Sequence, residues 1–382
     1  MSVPLDRLYD FLQTVCNHDV LIYRYYPHGS RKIDDCTPLT TIHKSLDANE
    51  LCVVCHDQEP LDYREFEPYL PFKIEHRNLL PILQCITYHS GLQYDKILLC
   101  HSELRSKDLE WFEQHDSIGV YYWSHALIAR DWYRYAQYDS RLIKNKIYNK
   151  DFLIYNRAWR GLREYRIKFT ELLVHANLQT ACKITFNPMD GQHHYKDHQF
   201  TNLAFEPQRC DLEKFLQPTL APAASSADYD ANDYCQHRIE VVLETVFDDI
   251  KWHLTEKTLR PIACGTPFII VSTPGVLQYL RSYGFKTYES VWDESYDSIL
   301  DPVKRMQAVI DLMHSIASMN PSDKQLLMDR CAEISKFNQQ LFFSDDFWKN
   351  IVSEFTRNLD CAVDEMNLHT GRVRQYVELH YQ

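Results

Sequence analysis

The chain has 382 residues, 45% hydrophobic and 25% charged, enough apolar material for two ordinary domains with real cores. Its net charge of −12 argues against a surface built to wrap nucleic acid non-specifically, while leaving room for a local basic groove. No run approaches the roughly 20 apolar residues of a membrane helix, so no membrane association is expected. The first residues, MSVPLDRLYDFLQTV, carry two acids and lack a basic start or a long apolar block, which makes a cytoplasmic location the expectation.

In chain order, short β-rich runs at residues 20–25, 51–55, 96–100 and 119–122 alternate with helical patterns at 78–89 and 107–115. Strand–helix alternation predicts parallel strands covered on both faces. A connection rich in Tyr, Arg and Lys (133–150) leads to a second unit of the same kind. Its predicted elements are strands at 152–155 and 181–186, a helix at 165–178, and strands at 239–243 and 267–271. Residues 218–234 are small and polar and read as a mobile loop, and 323–366 read as helical. The expected class is α/β, with domains at 1–148 and 149–345 and a C-terminal helical segment at 346–382.

Twelve cysteines are scattered mostly through apolar runs, which fits buried reduced thiols better than a disulfide framework. The pair Cys52 and Cys55 lies within a predicted strand, where i and i+3 point to opposite faces, so no metal or redox site is expected there. Only nine glycines occur, where an average usage of about 7% would give roughly 27. No glycine-rich nucleotide motif is present, so any phosphate must be held by side chains and helix ends.

Residues at strand ends carry the functional expectations, because open parallel sheets bind ligands there. The strand at 51–55 runs into His56-Asp57-Gln58-Glu59-Pro60, where Asp57 or Glu59 is a candidate general base and His56 a candidate acceptor contact. A plain helix cap by Asp57 would look much the same. After the strand at 96–100, His101 and Glu103 are candidate acceptor contacts or members of a solvated loop, and Ser102 or Ser106 a helix cap. The aromatic run from Trp123 to Trp132 reads as core. The loop Asn156–Arg163 offers Arg157, Arg160 and Arg163 between a strand and a helix start, where guanidinium groups suit a phosphate.

The strongest constellation is Glu244-Thr245, then Thr255-Glu256-Lys257, then Gly265-x-Pro267-Phe268. Thr255 is the expected N-cap. Lys257 in a first helical turn opposes the helix dipole unless an anion is present, which points to a bound phosphate, with Glu256 left to hold ribose hydroxyls. A helix after Pro274-Gly275 is expected to offer further backbone N–H groups.

This arrangement resembles the donor-binding segment of fucosyltransferase-like and exostosin-like enzymes of the GT-B fold, and residues 284–297 are similar to sugar transferases of tailed phages. The resemblance spans residues 151–301. It departs from the fucosyltransferase pattern in having Glu244-Thr245 where an asparagine commonly lies nearby. It implies two Rossmann-like domains facing across a cleft, with C-terminal helices crossing back. It also implies a nucleotide-sugar co-substrate, no resident cofactor or metal, and an inverting transfer to a hydroxyl acceptor. Arg157, Arg160, Arg163, Glu244, Thr255, Glu256 and Lys257 would bind the donor. A glycan and a hydroxymethylated base in DNA are both open as acceptors, the latter needing a basic surface from Arg130, Arg134, Arg141, Lys144 and Lys146. A transferase-like scaffold without turnover is the rival reading. Asp228-Tyr229-Asp230 and His193, His194 and His198 lack the setting of metal ligands.

Overall fold

The computed structural model describes residues 20–23, 51–55, 59–61, 97–114, 117–143, 146–207, 212 and 226–380. The chain forms two compact units, one comprising Val3–Ile128 and Trp348–Gln382, the other Ala129–Phe347. Both are mixed α/β, built on parallel sheets. Among the described residues, no helix is long and apolar enough to cross a membrane.

In the first unit, β1 (Val20–Tyr23), β2 (Leu51–Cys55), β3 (Ile97–His101) and β4 (Ser117–Tyr121) form a sheet in the order β1-β2-β3-β4, every pair parallel. Helix α1 (Lys107–Gln114) connects β3 to β4, and α2 (Ser124–Trp132) follows β4. Leu98, Leu99 and Cys100 are consecutive and buried, as expected of a parallel strand covered on both faces. The helix expected at 78–89 lies outside the described residues.

The second unit takes over inside α2, at Ala129, rather than at residue 149. The reason lies in the intervening segment, whose partners belong to the second unit. Tyr133 OH donates to Ser226 O at 2.5 Å, Cys235 Sγ donates to Arg141 O at 2.9 Å, and Asn149 N donates to Gln236 O at 2.8 Å.

This unit continues with α3 (Ser140–Ile143), β5 (Lys150–Ile154), α4 (Tyr165–His175) and β6 (Cys182–Ile184). A small antiparallel pair follows, β7 (Met189–Asp190) with β8 (His193–His194). Then come α5 (Ala231–Gln236), β9 (His237–Leu243), α6 (Glu256–Ala263), β10 (Phe268–Val271), α7 (Val276–Ser282), α8 (Pro302–Ala317) and α9 (Pro321–Phe343). The loop expected through residue 234 gives way to α5 because Asp230 caps it, accepting from Asn232 N at 2.9 Å.

The sheet order is β10-β9-β5-β6, all parallel. The chain therefore moves from β5 outward to β6, then returns to the other side of β5 to lay down β9 and β10. That reversal makes the carboxyl ends of β5 and β9 a topological switch point, where ligands of open α/β sheets bind.

The helical C-terminal region is two helices, α9 and one that follows it. Ser344 is extended, and its Oγ accepts from Phe347 N at 3.1 Å to start α10 (Asp345–His380). From Trp348 onward α10 belongs to the first unit. There Asn358 Nδ2 donates to Tyr121 O at 2.8 Å, Phe355 lies 5.1 Å from Tyr122, and Ile351, Phe355, Leu359 and Ala362 form its buried stripe.

Candidate functional site

The two segments that carry the donor expectations leave the sheet side by side, one after β5 and one after β9. Arg166, in the first turn of α4, ties them together. Its guanidinium donates to Ala158 O at 2.6 Å, Leu243 O at 2.6 Å and Glu244 O at 2.9 Å. Tyr165 OH adds a bond to Glu244 O at 2.7 Å while its ring stacks on Phe247. Arg305, from α8, similarly holds Phe247 O at 2.6 Å and Ser272 O at 2.9 Å. Tyr165 and Arg166 were read from the sequence only as parts of a helix, and Arg305 was not singled out. Their signal, a cation on an otherwise buried helix face, is visible only when the helix faces are known.

The loop after β5 is pinned from below. Asp190 Oδ2 accepts from Trp159 N at 2.8 Å and Arg160 N at 2.9 Å, and buried Trp159 donates from Nε1 to Asn187 O at 2.9 Å. Glu164 accepts from Thr201 N and Asn202 N, both at 2.8 Å. On this frame Arg157 and Arg163 are half-buried and Arg160 is exposed.

At the end of β9, Glu244 is fully buried and its carboxylate is occupied by its own chain. Oε1 accepts from Thr255 N at 3.0 Å and Thr258 Oγ1 at 2.6 Å, and Oε2 from Thr255 Oγ1 at 2.7 Å and Thr245 N at 3.2 Å. Glu244 therefore positions the start of α6. Thr255 is the N-cap, accepting from Lys257 N at 3.3 Å. Lys257 Nζ lies 3.1 Å from Glu256 Oε1, 3.1 Å from Thr255 Oγ1 and 3.3 Å from Thr245 Oγ1. The negative partner that a cation in a first turn requires is thus supplied within the chain by Glu256, which is itself buried.

The start of α7 differs from expectation. Asp297 fills it, accepting from Leu277 N at 3.2 and 3.3 Å, while its carbonyl accepts from Gly275 N at 2.7 Å. Those two N–H groups are satisfied by the carboxylate and the carbonyl of Asp297 and are not offered to a ligand. Gly275 has φ +80°, and a Cβ there would meet the Trp252 ring at 3.1 Å, so the turn demands glycine twice over. Burial pushes the Asp297 carboxyl up to about 6, against the opposing pull of the Leu277 amide and Arg281. The folded chain then keeps a proton that the unfolded chain, near 3.9, has released, so this group's contribution falls as pH rises from about 4 to about 6. Asp297→Asn keeps an acceptor for the helix and removes the titration. The difference in Tm between wild type and variant is expected to swing against wild type across that window.

In the first unit, Glu59 is half-buried, and His56 and Asp57 lie outside the described residues. His101 and Glu103 are buried rather than solvated. Glu103 Oε1 accepts from Leu61 N, and His101 Nδ1 accepts from Glu103 N at 3.3 Å. Ser106 caps α1 through Leu109 N at 3.2 Å. The Trp123–Trp132 run supplies core, with Trp123 and Ala126 buried.

The proposed basic surface is largely engaged elsewhere. Arg130 donates to the carbonyls of Phe342, Phe343 and Ser344; Arg134 pairs with Asp131 at 3.3 Å and Arg141 with Asp139 at 2.7 Å. Lys146 donates to Thr266 Oγ1 at 3.3 Å, and Lys144 lies outside the described residues. Asp228, Tyr229 and Asp230 form a turn and a helix cap. Among the described residues no group of His, Cys, Asp and Glu is arranged to hold a metal ion. The side chains of Cys52 and Cys55, on β2, lie outside those described.

Comparisons with protein families, with curated proteins and with solved structures found no match to this chain.

Proposed function

We propose that the second unit binds a nucleotide sugar at the β5/β9 switch point, and that the chain transfers the sugar to a hydroxyl acceptor with no divalent metal. In this reading the two units correspond to the acceptor and donor domains of a GT-B glycosyltransferase. The observation that carries it is the strand-order reversal, together with Arg166 joining the loop after β5 to Glu244 at the end of β9, to which the Thr255 helix start is bonded. Arg157 and Lys257 would take the diphosphate, and Glu256 the ribose. Positive charge fixed where a leaving group develops negative charge lowers the barrier to its departure. Asp57 or Glu59 would accept the proton of the attacking hydroxyl.

A panel of nucleotide sugars tested by thermal shift, with and without chelator, addresses the donor. A selective donor raises Tm as RT ln(1 + [L]/Kd), and the chelator is expected to leave that rise unchanged. For turnover, Glu59→Gln together with Asp57→Asn is expected to slow transfer by about 10²-fold or more with donor affinity retained. A parent chain that binds a nucleotide sugar but neither transfers nor hydrolyses it would instead be a scaffold. The internal pairing of Lys257 with Glu256 is the observation on that side.

A further inference from the structure

We propose that the turn at residues 135–138, in the second unit, is a stacking platform for a neutral saccharide. Tyr135 is 64% and Tyr138 75% exposed, while Tyr133 and Ala136 of the same segment are completely buried. Tyr138 N donates to Tyr135 O at 3.0 Å across a 3-10 turn, in which side chains three residues apart eclipse. The two phenol rings therefore leave the turn on one side, and alanine is the residue turned inward.

The turn is held rigid. Tyr133 OH donates to Ser226 O at 2.5 Å and lies 3.4 Å from Glu256 O, which fastens the segment to the first residue of α6. Gln137 Nε2 donates to Arg134 O at 3.1 Å. Single exposed aromatics are ordinary on any surface. A fixed turn presenting two of them, each losing little side-chain freedom on contact, is a preorganised binding surface.

The surrounding charge selects the ligand. Arg134 sits 4.6 Å from the Tyr135 ring centroid and is matched by Asp131. Arg141 and Asp139 make a two-pronged pair, at 3.0 and 2.7 Å, and Tyr229 OH donates to Asp139 Oδ2 at 3.1 Å. Among the described residues of the patch, Arg134 and Arg141 are each paired with a carboxylate, which leaves neither as an excess cation for a phosphate backbone. What remains is aromatic area for the apolar C–H face of a pyranose, beside a carboxylate and a guanidinium that accept from and donate to hydroxyls.

The test titrates the full chain with neutral linear hexasaccharides of glucose, N-acetylglucosamine, xylose and mannose, and with a 20-nucleotide single-stranded thymidylate at low salt. At least one hexasaccharide is expected to bind, and Tyr135→Ala with Tyr138→Ala to weaken it about tenfold or more. Both side chains are exposed, so the variant is expected to keep its Tm and its affinity for nucleoside diphosphates. Absence of saccharide binding, binding that survives the double change, or thymidylate binding lost with it would overturn the proposal. A wild-type chain that binds hexasaccharide but no nucleotide would sink the donor reading instead, leaving the platform standing.

Discussion

Replacing Arg260 with leucine is expected to lower the stability of the second unit by about 3–5 kcal/mol, read from the urea midpoint. Arg260 and Glu240 are both buried, joined at 2.7 Å, with Tyr234 closing the triangle through bonds of 2.8 Å to Arg260 Nε and 2.6 Å to Glu240 Oε2. The Tyr155 ring covers the guanidinium at 4.2 Å, and its hydroxyl bonds Asp233, which also pairs with Lys183. Leucine leaves the Glu240 carboxylate in the interior without its cation. Burial already pushes that carboxyl up, with Arg260 as the chief opposing influence. Without Arg260 the folded form favours the protonated acid, so the defect is expected to grow as pH rises. Glu240→Leu with Arg260→Leu removes both charges and is expected to recover part of the loss. A single variant within about 1 kcal/mol of wild type at pH 8 would contradict this account of the core.

Lys257→Met is expected to raise the Kd for nucleoside diphosphates by about 10- to 100-fold, the span of one charge-assisted hydrogen bond. Arg157→Ala should act in the same range, since both cations are proposed to meet the same two phosphates. The changes should not add simply, because the sites share a ligand. Stability separates a binding role from a structural one. Lys257 Nζ donates to Glu256 Oε1, so Lys257→Met also lowers the Tm of the unliganded chain by removing that pair. The decisive reading is the ligand-induced rise in Tm, not the starting Tm. If nucleoside diphosphates raise Tm equally in wild type and both variants, the diphosphate site lies elsewhere.

The second sheet was legible before folding. Strands read at 239–243 and 267–271 correspond to His237–Leu243 and Phe268–Val271, because strands covered on both faces appear as continuous apolar runs. Thr255 was equally legible as an N-cap, a role settled by a hydroxyl and an amide two residues away. Failures came where a partner is distant in sequence. The start of α7 looked open until Asp297, twenty residues beyond Leu277, proved to fill it. Glu244 looked available until Thr255 and Thr258 were seen to occupy it. For His101 and Glu103 acceptor contact and solvated loop were both open; both are buried, and Glu103 reaches back to Leu61.

What the residue order determined by itself was the α/β class, most of the strands and the caps at Ser106 and Thr255, since each depends on periodicity or on hydrogen bonds within a few residues. Tertiary structure alone decided the order of the strands, and hence where the switch point falls. It also decided which charges are available to a ligand and which are consumed by the fold, as with Arg166 holding the backbone of both loops. Polar groups pair with whatever the chain brings within about 3 Å, and that proximity is a property of packing, not of local sequence.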